Sequence, residues 1–166
     1  MLYVLQQMTS DIYEAALRGR ADSLREIIDS GADVNVQNEN GYTPLMAAAH
    51  DGRIECIELL IESGADVNMQ DESGFTALTN AVQHSNEQTV KLLISKGADV
   101  NHRTKASFTP LMFLPYNNYP PTNVSDLASA LLAAGADVEV EDESGETVLS
   151  HARKKGVQEL IDLLAK

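Results

Sequence analysis

The apolar positions of this chain fall in short helical registers broken by glycine. Ile12, Ala15 and Ala16 sit at i, i+3, i+4 and predict a helix over residues 11–19, with Ser10 as its candidate N-cap. Leu24, Ile27 and Ile28 predict a second helix over residues 22–30, with Asp22, Arg25 and Asp29 facing water and Gly31 as its left-handed C-cap. The same two-beat pattern returns. Thr43 is a candidate cap, Pro44 suits a first helical position, and Leu45, Ala48 and Ala49 follow at helical spacing. After Gly52, Ile54, Ile57, Leu60 and Ile61 make a buried stripe over residues 53–63, with Glu55, Glu58 and Glu62 on the wet face. Val90, Leu92, Leu93 and Ile94 mark a further second helix, and Val148, Leu149, Ala152 and then Val157, Leu160, Ile161, Leu164 mark the last pair.

A five-residue string sets the period. GADVN begins at Gly31, Gly64 and Gly97, and GADVE begins at Gly135, so the first two steps are 33 residues and the last is 38. A period of this length predicts stacked repeats, each one supersecondary unit that buries its apolar faces only against neighbours. The units are residues 1–40, 41–73, 74–106, 107–144 and 145–166, and the whole of 1–166 reads as a single domain. Unit four departs most. Leu114 and Pro115 stand where unit two has Ala48 and Ala49, so its first helix is expected to be cut to about one turn. The five extra residues fall there, with Tyr116 to Thr122 as an exposed loop and Asn123 capping the next helix.

GYTPLMAAAHDGRIECIELLIESGADVN resembles an ankyrin repeat, whose pattern is G-x-T-P-L-H-x-A-A-x-x-G, a second helix and then G-A-D-V-N. The resemblance runs from about Ser10 to Leu164 and implies an all-α ankyrin-repeat solenoid with hairpin-like finger loops along one edge. It implies that the Asp and Asn of GADVN tie neighbouring loops together, which puts the fourth link in question because Glu139 replaces that Asn. The family's T-P-L-H histidine is absent, with Met46, Thr79, Met112 and Ser150 in its place, and methionine is suited to fill the vacated space.

Composition narrows the function. A net charge of −13 opposes phosphate backbones and anionic membrane surfaces, and it would speed association with a basic protein. No stretch of 18 or more apolar residues offers a membrane span, and the start lacks the basic and apolar runs of a signal peptide. The single cysteine, Cys56, fits a reducing compartment and sets a cytoplasmic expectation. No nucleophile elbow, zinc-protease helix or phosphate-cradling loop is present. The four histidines lack metal-ligand spacing, so no catalytic residue, cofactor or metal is expected.

What remains is recognition of another protein, by a monomer acting as adaptor or regulator, with inhibition of one basic enzyme as the alternative. The resemblance directs attention to finger tips and to the exposed side of the first helices. Tyr42, Phe75 and Phe108 recur just before the T-P-L strings and form a candidate row of aromatic anchors, or else brace their own loops. Glu39, Glu72, Arg103 and Lys105 are finger-tip candidates, the basic pair facing either an acidic group on a partner or Glu72 and Glu141 nearby. His50 and His84 are the helix candidates, placed to approach each other across the stack. Tyr116, Asn117 and Tyr119 are candidates in the inserted loop, where prolines lower the entropy cost of binding.

Overall fold

The computed structural model describes residues 11–116 and 123–165, and the Ser10 cap and the loop over 117–122 lie outside them. Among the described residues the regular elements are all helices. They are α1 (residues 11–17), α2 (Ala21–Asp29), α3 (Pro44–His50), α4 (Ile54–Glu62), α5 (Ala77–Gln83), α6 (Glu87–Ser95), α7 (Pro110–Phe113), α8 (Val124–Ala133), α9 (Val148–Lys155) and α10 (Gln158–Leu164). Odd-numbered helices stack in one layer, α3 on α5 on α7. Even-numbered helices form the second layer, with α2 on α4, α6 on α8 and α8 on α10. No described helix is long and apolar enough to cross a membrane.

The buried apolar side chains form one continuous cluster from Ile12 to Leu160. Ala47, Ala48 and Ala49 are buried on α3 and Ala81 on α5, and such small side chains let the odd-numbered helices approach closely. Met46 and Met112 are 1% exposed, so both fill the space of the missing histidine as expected. In α5 the replacement is polar. Thr79 Oγ1 accepts the Thr76 N–H at 2.6 Å, and the Thr79 N–H reaches Thr76 Oγ1 at 3.3 Å, a reciprocal cap.

Helices end one or two residues short of the periodic pattern because a Schellman turn closes each of them except α7 and α10. At Gly64 (φ 93°) the Gly64 N–H donates to Ile61 O and the Ala65 N–H to Leu60 O, which satisfies two orphan carbonyls. The GADVN string follows, and within it the Asp and Asn divide their work. Asp33, Asp66, Asp99 and Asp137 accept the N–H two residues on, inside their own turn. The Asn reaches across. Asn68 Nδ2 donates to Gly97 O at 3.2 Å while its Oδ1 accepts the Asp99 N–H at 2.9 Å. Asn35 clips Gly64 and Asp66 in the same way, and Asn101 clips Gly135 and Asp137. Glu139 lies in the fourth copy, and among the described residues its side chain makes no such clip.

A second set of staples sits on the opposite side. The sequence predicts Asn123 as the N-cap of α8, and Arg53 and Asn86 hold the same position before α4 and α6. Arg53, Asn86 and Asn123 instead make no side-chain bond to their own helices. Arg53 Nε donates to Leu17 O, Asn86 Nδ2 to His50 O at 2.8 Å, and Asn123 Nδ2 to Ser85 O at 3.3 Å. The carbonyls left over at the end of each first helix accept these donors.

Unit four is shortened as Pro115 requires. α7 is a single turn, followed by a 3-10 turn over Leu114–Tyr116. Its finger is also strained. Gly41 and Gly74 have positive φ, and a Cβ at either would lie 2.9 Å from the backbone nitrogen of the next finger. Those fingers are joined by Glu72 N–H to Asn40 O at 2.9 Å and Lys105 N–H to Ser73 O at 3.0 Å. Ser107 occupies the same position with φ 63°, and among the described residues no such bond joins the third finger to the fourth. Its Cβ occupies the space through which the next finger would close.

Two outcomes follow from this scaffold. Ser107→Gly relieves a left-handed backbone that costs a side-chain-bearing residue about 1–2 kcal/mol, offset by about 0.5–1 kcal/mol of glycine flexibility in the unfolded chain. Thermal melting should rise by ~1–3 °C. Asn68→Ala removes both arms of a clip and should lower stability by about 1–2 kcal/mol, or ~2–6 °C in melting temperature.

Candidate functional site

Each finger is closed by the same main-chain pair. Asn38 N–H donates to Tyr42 O, Asp71 to Phe75 O, Thr104 to Phe108 O and Asp142 to Glu146 O. The first residue of each pair also turns its side-chain oxygen inward. Asp71 Oδ1 accepts from Ser73 and Phe75 N–H, both at 2.8 Å, and Asp142 Oδ1 accepts from Ser144 at 2.7 Å and Glu146 at 3.0 Å. This Asx geometry holds the residue after each finger tip in place. In three fingers that residue is aromatic.

The three aromatics face the first helix of the following unit, and each meets the same register position there. Tyr42 Oη lies 3.2 Å from Asn80 Oδ1, the Phe75 ring lies 5.2 Å from the Phe113 ring, and the Phe108 ring lies 5.1 Å from the His151 ring. Phe113 also touches Phe108, at 5.4 Å, so it sits between the two finger rings. Phe75, Phe108 and Phe113 floor a groove of about 410 Å³ between the second and third fingers, and Glu72, Ser73, Lys105 and Ala106 line its rim. Offset rings at these distances fix one another's orientation as well as burying area.

Tyr42 does not join this groove. Its hydroxyl also lies 3.2 Å from Met46 O, its carbonyl accepts from the Tyr13 hydroxyl, and it is half-buried. Burial, with the charges of Asp71 and Asp51 nearby, pushes its phenol up to about 12. The candidate row of three therefore divides into two groove rings and one ring tied into the stack.

The other candidates separate as clearly. Glu39 and Glu72 are exposed at finger tips. Arg103 donates to the Glu141 carbonyl at 2.7 Å rather than to a carboxylate, and Lys105 stands on the groove rim. His50 and His84 do meet, with ring centroids 3.7 Å apart. Asn117 and Tyr119 lie outside the described residues.

Tyr116 is exposed as expected, but it belongs to an ordered turn rather than to a loop. It ends the 3-10 turn, and its hydroxyl donates to His151 Nδ1 at 2.7 Å. His151 Nε2 donates in turn to Asp142 Oδ2 at 2.9 Å, where both side chains are 6% exposed. Because Asp142 only accepts, the ring proton sits on Nε2 and Nδ1 is left to take the phenol proton. Lys155 Nζ lies 4.6 Å above the Tyr116 ring. Burial alone would raise the Asp142 carboxyl, but the N–H groups of Glu146 and Ser144 and the His151 imidazole together hold it below its ordinary value. This chain braces one side of Phe108. Sequence reasoning missed Asn80, Phe113 and His151 as the other half of the aromatic row. They stand 38, 38 and 43 residues after the ring they meet, the last step longer by the five-residue insertion.

Asp142→Ala leaves three donors without their acceptor and should cost about 2–3 kcal/mol, a fall of ~5–10 °C in melting temperature. The folded carboxyl titrates below its unfolded value of about 3.9, so its contribution is present above that pH and is lost as pH falls through the depressed folded value. The gap between the variant and the parent should therefore narrow in acid.

A family model described as Ankyrin repeats (3 copies) matches residues 12–104, more than half of the chain. No curated protein matches it. The clipped turns, the paired helix layers, the fingers and this match agree, and the chain belongs to the ankyrin-repeat family.

Proposed function

We propose that this chain is a non-catalytic recognition module that captures a partner protein in the groove between its second and third fingers. Ankyrin repeats are in general protein–protein interaction modules. The observation that carries the assignment of this site is the groove floor: the half-buried rings of Phe75 and Phe108 on either side of the buried Phe113, with Phe108 braced by Tyr116 and His151. Rings that are already oriented offer a partner large apolar area with little loss of entropy on binding. The floor suits an apolar or aromatic side chain, and Lys105 and Glu72 on the rim suit polar groups flanking it. The continuous core supports reading 1–166 as one unit that presents this surface.

A second reading, inhibition of one basic enzyme, is favoured by the finger tips. Glu39, Glu72, Glu141 and Glu143 are all exposed in a chain of net charge −13. Charge of this kind sets orientation and association rate more than final affinity.

Ala106→Asp puts a carboxylate into the groove while leaving all three floor rings in place. Affinity capture from the native host, followed by mass spectrometry and titration, should give a partner whose affinity falls at least ~10-fold in that variant, with melting unchanged. A partner held equally well by Ala106→Asp and by Phe75→Ser sinks the groove assignment. If the captured partner is a single basic enzyme, and its association rate collapses between 50 and 300 mM salt (roughly the range over which surface charge is screened), the inhibitor reading gains over the adaptor reading.

A further inference from the structure

The contact between His50 and His84 has a chemistry separate from the groove. The rings lie 3.7 Å apart between centroids, tilted by 42°. His50 closes α3 and His84 follows the last residue of α5, so both sit at the carboxyl end of a first helix, where the helix dipole favours positive charge. His84 is exposed and the side chain of His50 is 41% exposed.

The hydrogen bonds fix the tautomer of each ring. His50 Nδ1 lies 2.7 Å from Asp51 Oδ1, and His84 Nδ1 lies 3.0 Å from Asn80 O. A carboxylate and a carbonyl only accept, so in each neutral ring the proton is on Nδ1 and the lone pair is on Nε2. Neither Nε2 has a hydrogen-bond partner among the described residues. Two adjacent imidazoles thus present unused lone pairs, and each is held from behind by the kind of acceptor that orients a metal-binding histidine: a carboxylate for one, a backbone carbonyl for the other.

We propose that His50 and His84 form a two-imidazole site for a borderline divalent cation of the Cu²⁺, Ni²⁺, Zn²⁺ group. Imidazole nitrogen suits these ions, and the stability order of first-row divalent metals places Cu²⁺ tightest. Among the described residues no group of three or more ligating side chains converges, so water fills the remaining positions. Asp51 supplies negative charge behind His50. Its carboxyl is held below its ordinary value, first by the His50 hydrogen bond against the opposing effect of burial. Arg53 Nη2 lies 3.2 Å from the other Asp51 oxygen and offsets part of that charge. The site does not depend on the groove or on any protein partner.

The test is titration of the full, untagged chain with CuCl2 and, separately, NiCl2 in a weakly coordinating buffer, followed by calorimetry and by the histidine ring resonances. One cation per chain is expected, with the rings of His50 and His84 perturbed together while His102 and His151 stay still. His50→Gln and His84→Gln should each weaken binding at least ~10-fold, and Asp51→Asn by roughly 10-fold or more through the loss of the orienting carboxylate. All three side chains lie at the surface, and unchanged melting of each variant checks that it folds. Binding that is indifferent to His84→Gln, binding that follows His102 or His151 instead, or no saturable binding at one cation per chain would overturn the proposal.

Discussion

The constraint on which the rest depends is the carboxamide clip between successive turns. One helix pair leaves apolar surface on both sides, and only a neighbour at fixed spacing covers it. Asn35, Asn68 and Asn101 set that spacing because an amide carries a donor and an acceptor in one plane. Each takes the N–H of one residue and gives a hydrogen to a carbonyl two residues earlier in the next copy. A carboxylate could make only half of this link. Once the turns are spaced, the first two finger contacts close by main-chain bonds, and the ring on one finger comes within reach of the next first helix.

That order explains which parts of the structure were legible in the sequence. The helices and their period were, because the same residue types recur at the same offsets: Leu, Ile and Ala on buried faces, Gly at the turns. The shortened α7 was also legible, since Pro115 acts through its own backbone and needs no neighbour. The Asn clips were legible through the family resemblance and the approach of His50 to His84 through register, whereas the finger-ring contacts were not, because each rung uses different chemistry at one register position. Tyr42 meets an amide, Phe75 a phenyl ring and Phe108 an imidazole. No residue type repeats at 80, 113 and 151, so nothing in the string draws attention to them. Asn123 misled for a related reason. A residue that can cap its own helix can equally reach the spare carbonyls of the unit before it, and the choice depends on stacking distance.

The groove lies where the regular half of the stack meets the irregular one, and the irregularities explain why it is there. Unit three carries Asn80 beneath the Tyr42 ring, whereas unit four carries Phe113 beneath the Phe75 ring. Unit four also bears local costs: Ser107 in a left-handed conformation, and Thr109 Oγ1 buried without a hydrogen-bond partner among the described residues. Strain of this kind persists only where the surroundings over-determine it. Here the surroundings are the rings of Phe108, Phe113 and Tyr116 and the Tyr116–His151–Asp142 chain, which reaches back from the last unit.

A finger ring lies against the first helix of the following unit. The finger of unit five carries Glu146 where the others have Tyr42, Phe75 and Phe108, and that carboxylate pairs with Lys154 at 2.9 Å on its own α9. The same condition locates the groove. Two orientable rings must stand on adjacent fingers with a third between them, and among the described residues only the fingers ending in Phe75 and Phe108 meet it, because only there does the intervening helix offer Phe113.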